Sequence, residues 1–136
     1  MSTITSCLMF TGQAKEALAL YCACFPQARV TQMEIYGPEG PGAEGTVKRA
    51  HFHLGDQRFI AIDNPTTHTF GFSPAHSLHV ECRSVQEQCD LLAQLAEGGH
   101  VLMPLDNYGF SEAFTWLTDR YGVSWQLNFQ GKPHAT

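Results

Sequence analysis

The feature that most constrains the fold is a short strand followed directly by a helix, a pair that occurs twice along the chain. A predicted strand at residues 3–10 leads into residues 13–25, where apolar side chains recur at helical spacing. A second predicted strand at residues 76–82 leads into a capping box formed by Ser84 and Glu87, after which an apolar stripe again has helical spacing. Two such beginnings predict an internal duplication with a period of about 60–70 residues.

Three more predicted strands complete each repeat. Their apolar runs and alternating patterns lie at residues 30–36, 46–54 and 57–63, and again near residues 101–105, 114–118 and 123–129. Each repeat therefore has the order β-α-β-β-β, and one repeat alone cannot bury its sheet. We predict an α+β fold in which two β-α-β-β-β modules form a curved eight-stranded sheet, with the helices outside and a pocket on the concave side.

The length of the chain favours one domain. A chain of 136 residues supports one modest hydrophobic core. We therefore expect a single domain over residues 1–136, with module 1 at about residues 1–64 and module 2 at about residues 76–130. The Pro-, Thr- and Ser-containing stretch at residues 65–75 is the expected linker.

The charge balance argues against nucleic acid as a partner. The formal net charge is −5, and the 8 Lys and Arg residues form no basic cluster in the sequence. No cationic segment precedes an apolar run at the N-terminus, and no apolar stretch approaches the roughly 20 residues that span a bilayer. We expect a cytoplasmic protein without a membrane partner.

The cysteine pattern favours free thiols. The count of five is odd, and no two cysteines have the spacing C-x-x-C. In a reducing compartment such cysteines are mostly buried and unreactive. We therefore expect buried free thiols at Cys7, Cys22, Cys24, Cys82 and Cys89.

A two-residue turn at Gly55 and Asp56 predicts a β-hairpin with defined faces. One face carries Ala50, Phe52, Phe59, Ala61 and Asp63, and the other carries His51, His53, Arg58, Ile60 and Ile62. Because Arg49 and Arg58 share the face of the two histidines, a divalent ion is disfavoured there. We interpret His51 and His53 as surface or interface residues.

Four motifs, in this order along the chain, resemble the PhnB-like family of the vicinal oxygen chelate superfamily, which includes glyoxalase I, extradiol dioxygenases and bleomycin-resistance proteins. They are L-M-F-x-G-x-A-x-E-A-x-x-x-Y-x-x-x-F at residues 8–25, A-x-F-x-L-G-D-Q-x-F-x-A-x-D at 50–63, F-x-F-S-x-x-x-S-L-x-V-x-C at 70–82 and W-L-x-D-R-Y-G-V-S-W-Q at 116–126. Some members carry a demethylubiquinone methyltransferase label. However, no predicted strand here leads into the Gly-rich turn that a nucleotide-type cofactor uses.

The resemblance implies a homodimer that binds a small molecule in its concave pocket, often on a divalent metal such as Zn, Ni, Mn or Fe. Residues of the first and last strands of each module supply the metal ligands in such proteins. Here those positions point to His79 and Gln126 as metal ligands, with Asp63 or Glu81 as a third ligand or general base. The full expected pocket lining is Phe59, Asp63, Ser77, His79, Glu81, Trp116 and Gln126. The pattern identifies no catalytic residue.

Three functions remain open at this point. A phenylalanine-rich pocket face (Phe10, Phe52, Phe59, Phe70, Phe72) and a weak ligand set favour a protein that binds an apolar or aromatic molecule without chemistry. The alternative is a metal-dependent lyase, isomerase or dioxygenase of the glyoxalase type. The third is a homodimeric interaction module with a vestigial pocket.

Overall fold

The computed structural model describes residues 2–66 and 68–131, and within them the chain separates into two compact units. The first unit extends to Gly71 and the second begins at Phe72. The first unit contains β1 (Ser6–Phe10), α1 (Ala14–Cys24), β2 (Ala28–Ile35), β3 (Val47–Leu54) and β4 (Gln57–Asp63). Its strands form one sheet in the order β1-β4-β3-β2, in which β1 and β4 are parallel.

The second unit repeats this architecture. It contains β5 (Ser77–Glu81), α2 (Val85–Ala96), β6 (His100–Asp106), β7 (Ala113–Thr118) and β8 (Ser124–Phe129). Its sheet has the order β5-β8-β7-β6, again with the first and last strands parallel. The α+β class and the two β-α-β-β-β modules are therefore confirmed, and the eight strands form two hydrogen-bonded sheets of four. That both units form a single domain stays a prediction.

Each helix packs on one face of the sheet in its own unit. α1 contacts β2, β3 and β4, and α2 contacts β7 and β8. In α1 the buried side chains recur every three or four residues, at Ala14, Ala17, Leu18 and Tyr21. The apolar face of each sheet is therefore the face that its helix covers.

The two helices begin in different ways. The Ser84 hydroxyl accepts a hydrogen bond from the Glu87 backbone N–H at 3.0 Å, so the predicted capping residue of α2 is confirmed. The residue before α1, Gln13, makes no side-chain capping bond. Instead the Asp63 carboxylate at the end of β4 accepts hydrogen bonds from the Gly12 and Ala14 backbone N–H groups. The start of α1 is thus fixed by a residue about 50 positions away in the sequence.

The cysteines are free thiols, as expected, but the expectation that all are buried was wrong. Cys24 and Cys82 are buried, whereas Cys7, Cys22 and Cys89 are exposed. Helix α1 shows why: Cys22 follows buried Tyr21 and lies outside the stripe that faces the sheet. Of residues 2–66 and 68–131, none belongs to a helix with the length and apolar character of a membrane span.

Candidate functional site

The face of the second sheet that points away from α2 carries a row of polar side chains, and we call it the distal face. On β8, Trp125 and Leu127 are fully buried on the helix side, and the intervening Gln126 is not. Because alternate residues of a strand point to opposite faces, Gln126 projects from the distal face. β5 pairs with β8 in register, Ser77 with Ser124, His79 with Gln126 and Glu81 with Asn128.

His79 lies at the centre of a hydrogen-bonded row on this face. Its Nδ1 is 3.1 Å from the Gln126 Oε1, and its Nε2 is 2.7 Å from the Glu81 Oε1. The Asn128 Nδ2 donates to both oxygens of Glu81, at 3.0 and 3.1 Å. Both ring nitrogens of His79 therefore face oxygen acceptors, an arrangement that only the protonated ring satisfies completely.

The electrostatics of this row favour an ion pair. Partial burial lowers the pKa of His79, but its hydrogen bonds to Glu81 and Gln126 and the charge of Glu81 outweigh burial, so the pKa is raised above its ordinary value. Desolvation raises the pKa of Glu81. Hydrogen bonds from His79 and Asn128 and the charge of His79 lower it by more, so the net effect is a lowered pKa. The two side chains remain 44% and 58% exposed, so solvent reaches the pair.

Trp116 joins the row from the neighbouring strand. It is paired directly with Gln126, and its indole Nε1 donates to the Ser124 hydroxyl at 2.8 Å. The Ser77 and Ser124 hydroxyls are 2.6 Å apart. The half-buried indole is thus held beside the His79–Gln126 pair, on the same face of the sheet. Five of the predicted site residues come together here: Ser77, His79, Glu81, Trp116 and Gln126.

The two predicted site residues of the first unit lie elsewhere. Phe59 is 4% exposed and stacks on Phe52 with ring centroids 5.1 Å apart. Asp63 is 2% exposed, and its oxygens accept from the Gly12, Ala14 and Val47 backbone N–H groups. Since Asp63 reaches the first residue of α1, both side chains lie on the helix-covered face of the first sheet. The expectation that they point away from the helix, as Gln126 does, needs correction.

This misplacement has a physical reason. β4 is apolar on both faces, with Phe59 and Ala61 on one and Ile60 and Ile62 on the other. Alternation therefore defines two faces but does not show which one the helix covers. The expectation of a phenylalanine-rich pocket face needs correction for the same reason. Phe10, Phe52 and Phe59 are core residues of the first unit.

Sequence reasoning missed Ser124 and Asn128, although the signal was available. Both alternate with Trp125 and Leu127 along β8, so they share the face of Gln126. Asp119 has a structural role in the turn before β8. Its carboxylate accepts from the backbone N–H groups of Tyr121 and Val123, and from the Trp125 indole.

The residues of the distal face do not fit the expected three-ligand metal site. Nδ1 of His79 faces Gln126 while Nε2 faces Glu81, so the three side chains do not converge on one point. Asp63 is buried in the first unit and bound to backbone N–H groups. Within the described part of the chain, no three His, Cys, Asp or Glu side chains form a group that could hold a metal ion.

Two β-α-β-β-β modules, each with parallel first and last strands, form the fold that the resemblance to vicinal oxygen chelate proteins implies. A glyoxylase/bleomycin resistance protein/dioxygenase domain from Frankia has the same fold, with a TM-score of 0.64 at 14% identity, over 98% of this chain and 96% of that chain.

The chain belongs to the PhnB-like family, whose model, described as 3-demethylubiquinone-9 3-methyltransferase, matches residues 2–128. A PhnB protein from Bacillus cereus is 45% identical, with a TM-score of 0.91 over 94% of this chain and 99% of that chain. A protein from Pseudomonas aeruginosa is 28% identical, with a TM-score of 0.82 over 96% of this chain and 98% of that chain. No protein with a curated description is matched.

Proposed function

We propose that this PhnB-like protein binds a small molecule with an aromatic or apolar part on the distal face of the second sheet. The observation that carries the proposal is the hydrogen-bonded row of His79, Glu81 and Gln126 beside Trp116. The indole offers a flat apolar surface for stacking, and the neighbouring charged and amide groups offer donors and acceptors that orient a ligand.

The two tryptophans of the chain provide a built-in test. Both have indole N–H groups that NMR detects separately, but Trp116 lies on the distal face and Trp125 is fully buried under α2. We expect aromatic and apolar fragments to shift the Trp116 indole signal in a saturable way and to leave that of Trp125 nearly unchanged. We expect Gln126→Ala to weaken this response. Gln86 lies on the exposed side of α2, so Gln86→Ala should leave the response intact. Fragments that shift neither indole, or both equally, contradict the proposal.

A metal-dependent lyase, isomerase or dioxygenase is the alternative function. It requires His79 to turn one ring nitrogen from its present oxygen partner towards an ion, together with Gln126 and a further ligand. The contacts of His79 favour the binding function over this one. The expected homodimer, the cytoplasmic location and the interaction-module hypothesis stay predictions based on the sequence and the family resemblance.

A further inference from the structure

A second polar cluster lies in the first unit, on the sheet face that points away from α1. On β3, Ala50 and Phe52 are buried on the helix side, so Arg49 and His51 project from the other face. Arg58 of β4 joins them from the neighbouring strand. The two guanidinium groups and the imidazole belong to one unit and one sheet face.

The hydrogen bonding of His51 is incomplete in this arrangement. Arg49 Nε donates to the His51 Nε2 at 3.2 Å, and the Arg58 Nη2 lies 2.9 Å from the His51 Nδ1. A neutral imidazole has one N–H group and one lone pair, so it accepts from only one of the two arginines. When Nε2 accepts from Arg49, Nδ1 carries the proton, and its N–H meets the N–H of Arg58. Two donors then point to the same solvent-exposed place without an acceptor from the protein.

The positive charges around His51 are only partly compensated. Among residues 2–66 and 68–131, no carboxylate is within ion-pairing distance of Arg49 or Arg58. Glu34 is opposite Arg49 in the strand register and its charge partly offsets those of the arginines, although it makes no ion pair with them and its Oε1 accepts from the Gln32 side chain at 3.0 Å. Desolvation, followed by the charges of Arg58 and Arg49, lowers the pKa of His51. The two cations therefore disfavour protonation of the imidazole.

We propose that Arg49, His51 and Arg58 form a binding site for a small oxyanion, a carboxylate, phosphate or phosphonate group. An oxyanion beside the His51 Nδ1 accepts from Arg58 and from the imidazole N–H, and thus supplies the acceptor that these two donors lack, while Arg49 adds its positive charge from the other side of the ring. Guanidinium groups are suited to this because their planar N–H forks match the oxygens of such anions. The site is independent of the function proposed for the second unit, since none of its residues lies there.

The test uses the full-length protein and three simple anions. Inorganic phosphate, methylphosphonate and acetate are each titrated at constant pH and ionic strength, with chloride as the balancing ion, because salt screens exposed charges. The readout is the NMR signals of the arginine Nε–H groups and of the His51 ring. We expect saturable binding of at least one oxyanion. The comparison of phosphate and methylphosphonate with acetate shows whether the site prefers tetrahedral or planar groups.

Charge-matched variants separate a site from general attraction. Arg49→Gln/Arg58→Gln is expected to weaken binding at least about tenfold, because it removes one charge-assisted contact and a second positive charge beside it. Lys15→Gln/Arg83→Gln removes the same charge from α1 and from the exposed residue before the α2 cap, and it should bind like the unaltered protein. Arg58→Lys keeps the charge without the planar fork and should bind at an intermediate level.

The proposal is overturned by the absence of saturable binding for all three anions, or by equal weakening in the two double variants. A dispersed amide spectrum checks the fold of each variant, and the single changes Arg49→Gln and Arg58→Gln serve if the double variant unfolds. His79→Ala is expected to bind the oxyanion normally. A negative result for oxyanion binding therefore leaves the proposal tested at Trp116 standing. A negative result at Trp116 likewise leaves the oxyanion site standing.

Discussion

At the level of single residues, the ion pair of His79 and Glu81 gives a stability contribution that depends on pH. The pKa of His79 is raised above its ordinary value of 6.5, so the folded state holds the proton more tightly than the unfolded chain. This contribution is complete below pH 6.5 and is lost as the pH rises through the folded-state pKa of His79. The pKa of Glu81 is lowered from 4.5, so its contribution is complete above that value and is lost as the pH falls. The pair therefore stabilises most between these limits.

Glu81→Gln is expected to lower the pKa of His79, because it removes the charge and the accepting carboxylate. Both partners are more than a third exposed, so the loss in the free energy of unfolding should stay below about 1 kcal/mol. It should be larger at about pH 5.5 than at about pH 8.5, because the contribution of His79 is lost as the pH rises through its folded-state pKa. An NMR titration of the ring and urea unfolding at the two pH values measure these effects. Glu44→Gln removes the same charge from an exposed loop and serves as control; an unchanged His79 titration in Glu81→Gln would contradict the prediction.

At the level of elements, the two helices show what a sequence reveals about a helix start. The start of α2 was predictable because Ser84 and Glu87 lie within one turn of each other and form a recognisable local pattern. The start of α1 carries no such pattern, because its capping group, Asp63, comes from β4. A pairing over that distance depends on the sheet register, which the local sequence does not encode. Asp63 was therefore assigned to a ligand pocket when its contacts are structural.

Asp63→Asn should destabilise the first unit. The Oδ2 of Asp63 accepts from the Val47 N–H at 2.7 Å, and Oδ1 accepts from the Gly12 and Ala14 N–H groups. An amide can keep only one of these two sides, because its NH₂ group meets at least one backbone N–H as donor against donor. We expect a loss of about 1–3 kcal/mol in the free energy of unfolding, measured in urea.

The matched control for this change is Asp56→Asn, in the exposed turn between β3 and β4. It replaces the same chemical group in the same unit without touching the start of α1, so its effect should stay within about 0.5 kcal/mol. Equal stability of the two variants would show that the Asp63 hydrogen bonds do not hold α1 in place.

At the level of the whole molecule, the sequence predicted the architecture better than the site. The repeated β-α-β-β-β order was recoverable because helix spacing and strand alternation are local properties. In the second module the alternation also identified the side chains away from the helix, because Leu78, Val80, Trp125 and Leu127 form one apolar face opposite His79 and Gln126. In the first module both faces of β4 are apolar, so the pattern did not show that Phe59 and Asp63 lie on the helix-covered face. Arg49, His51 and Arg58 were not predicted as a site, because the two arginines disfavour a divalent ion and the histidines were interpreted as surface or interface residues.

Metal content per chain is the property of the whole molecule that separates binding from metal-dependent chemistry. Because the two ring nitrogens of His79 face Gln126 and Glu81 on different sides, we expect less than about one bound Zn, Ni, Mn or Fe(II) per ten chains after purification without chelator. Elemental analysis of the unaltered protein and of His79→Ala/Gln126→Ala measures this directly. About one ion per chain, lost in the folded double variant, would show instead that His79 turns to bind metal. The ion would then replace the Glu81 or Gln126 contact, and the glyoxalase-type alternative would become the stronger hypothesis. Without such an ion, the glyoxalase-type alternative would lose its support, and binding through the charges and hydrogen bonds of the distal face would stay the stronger hypothesis.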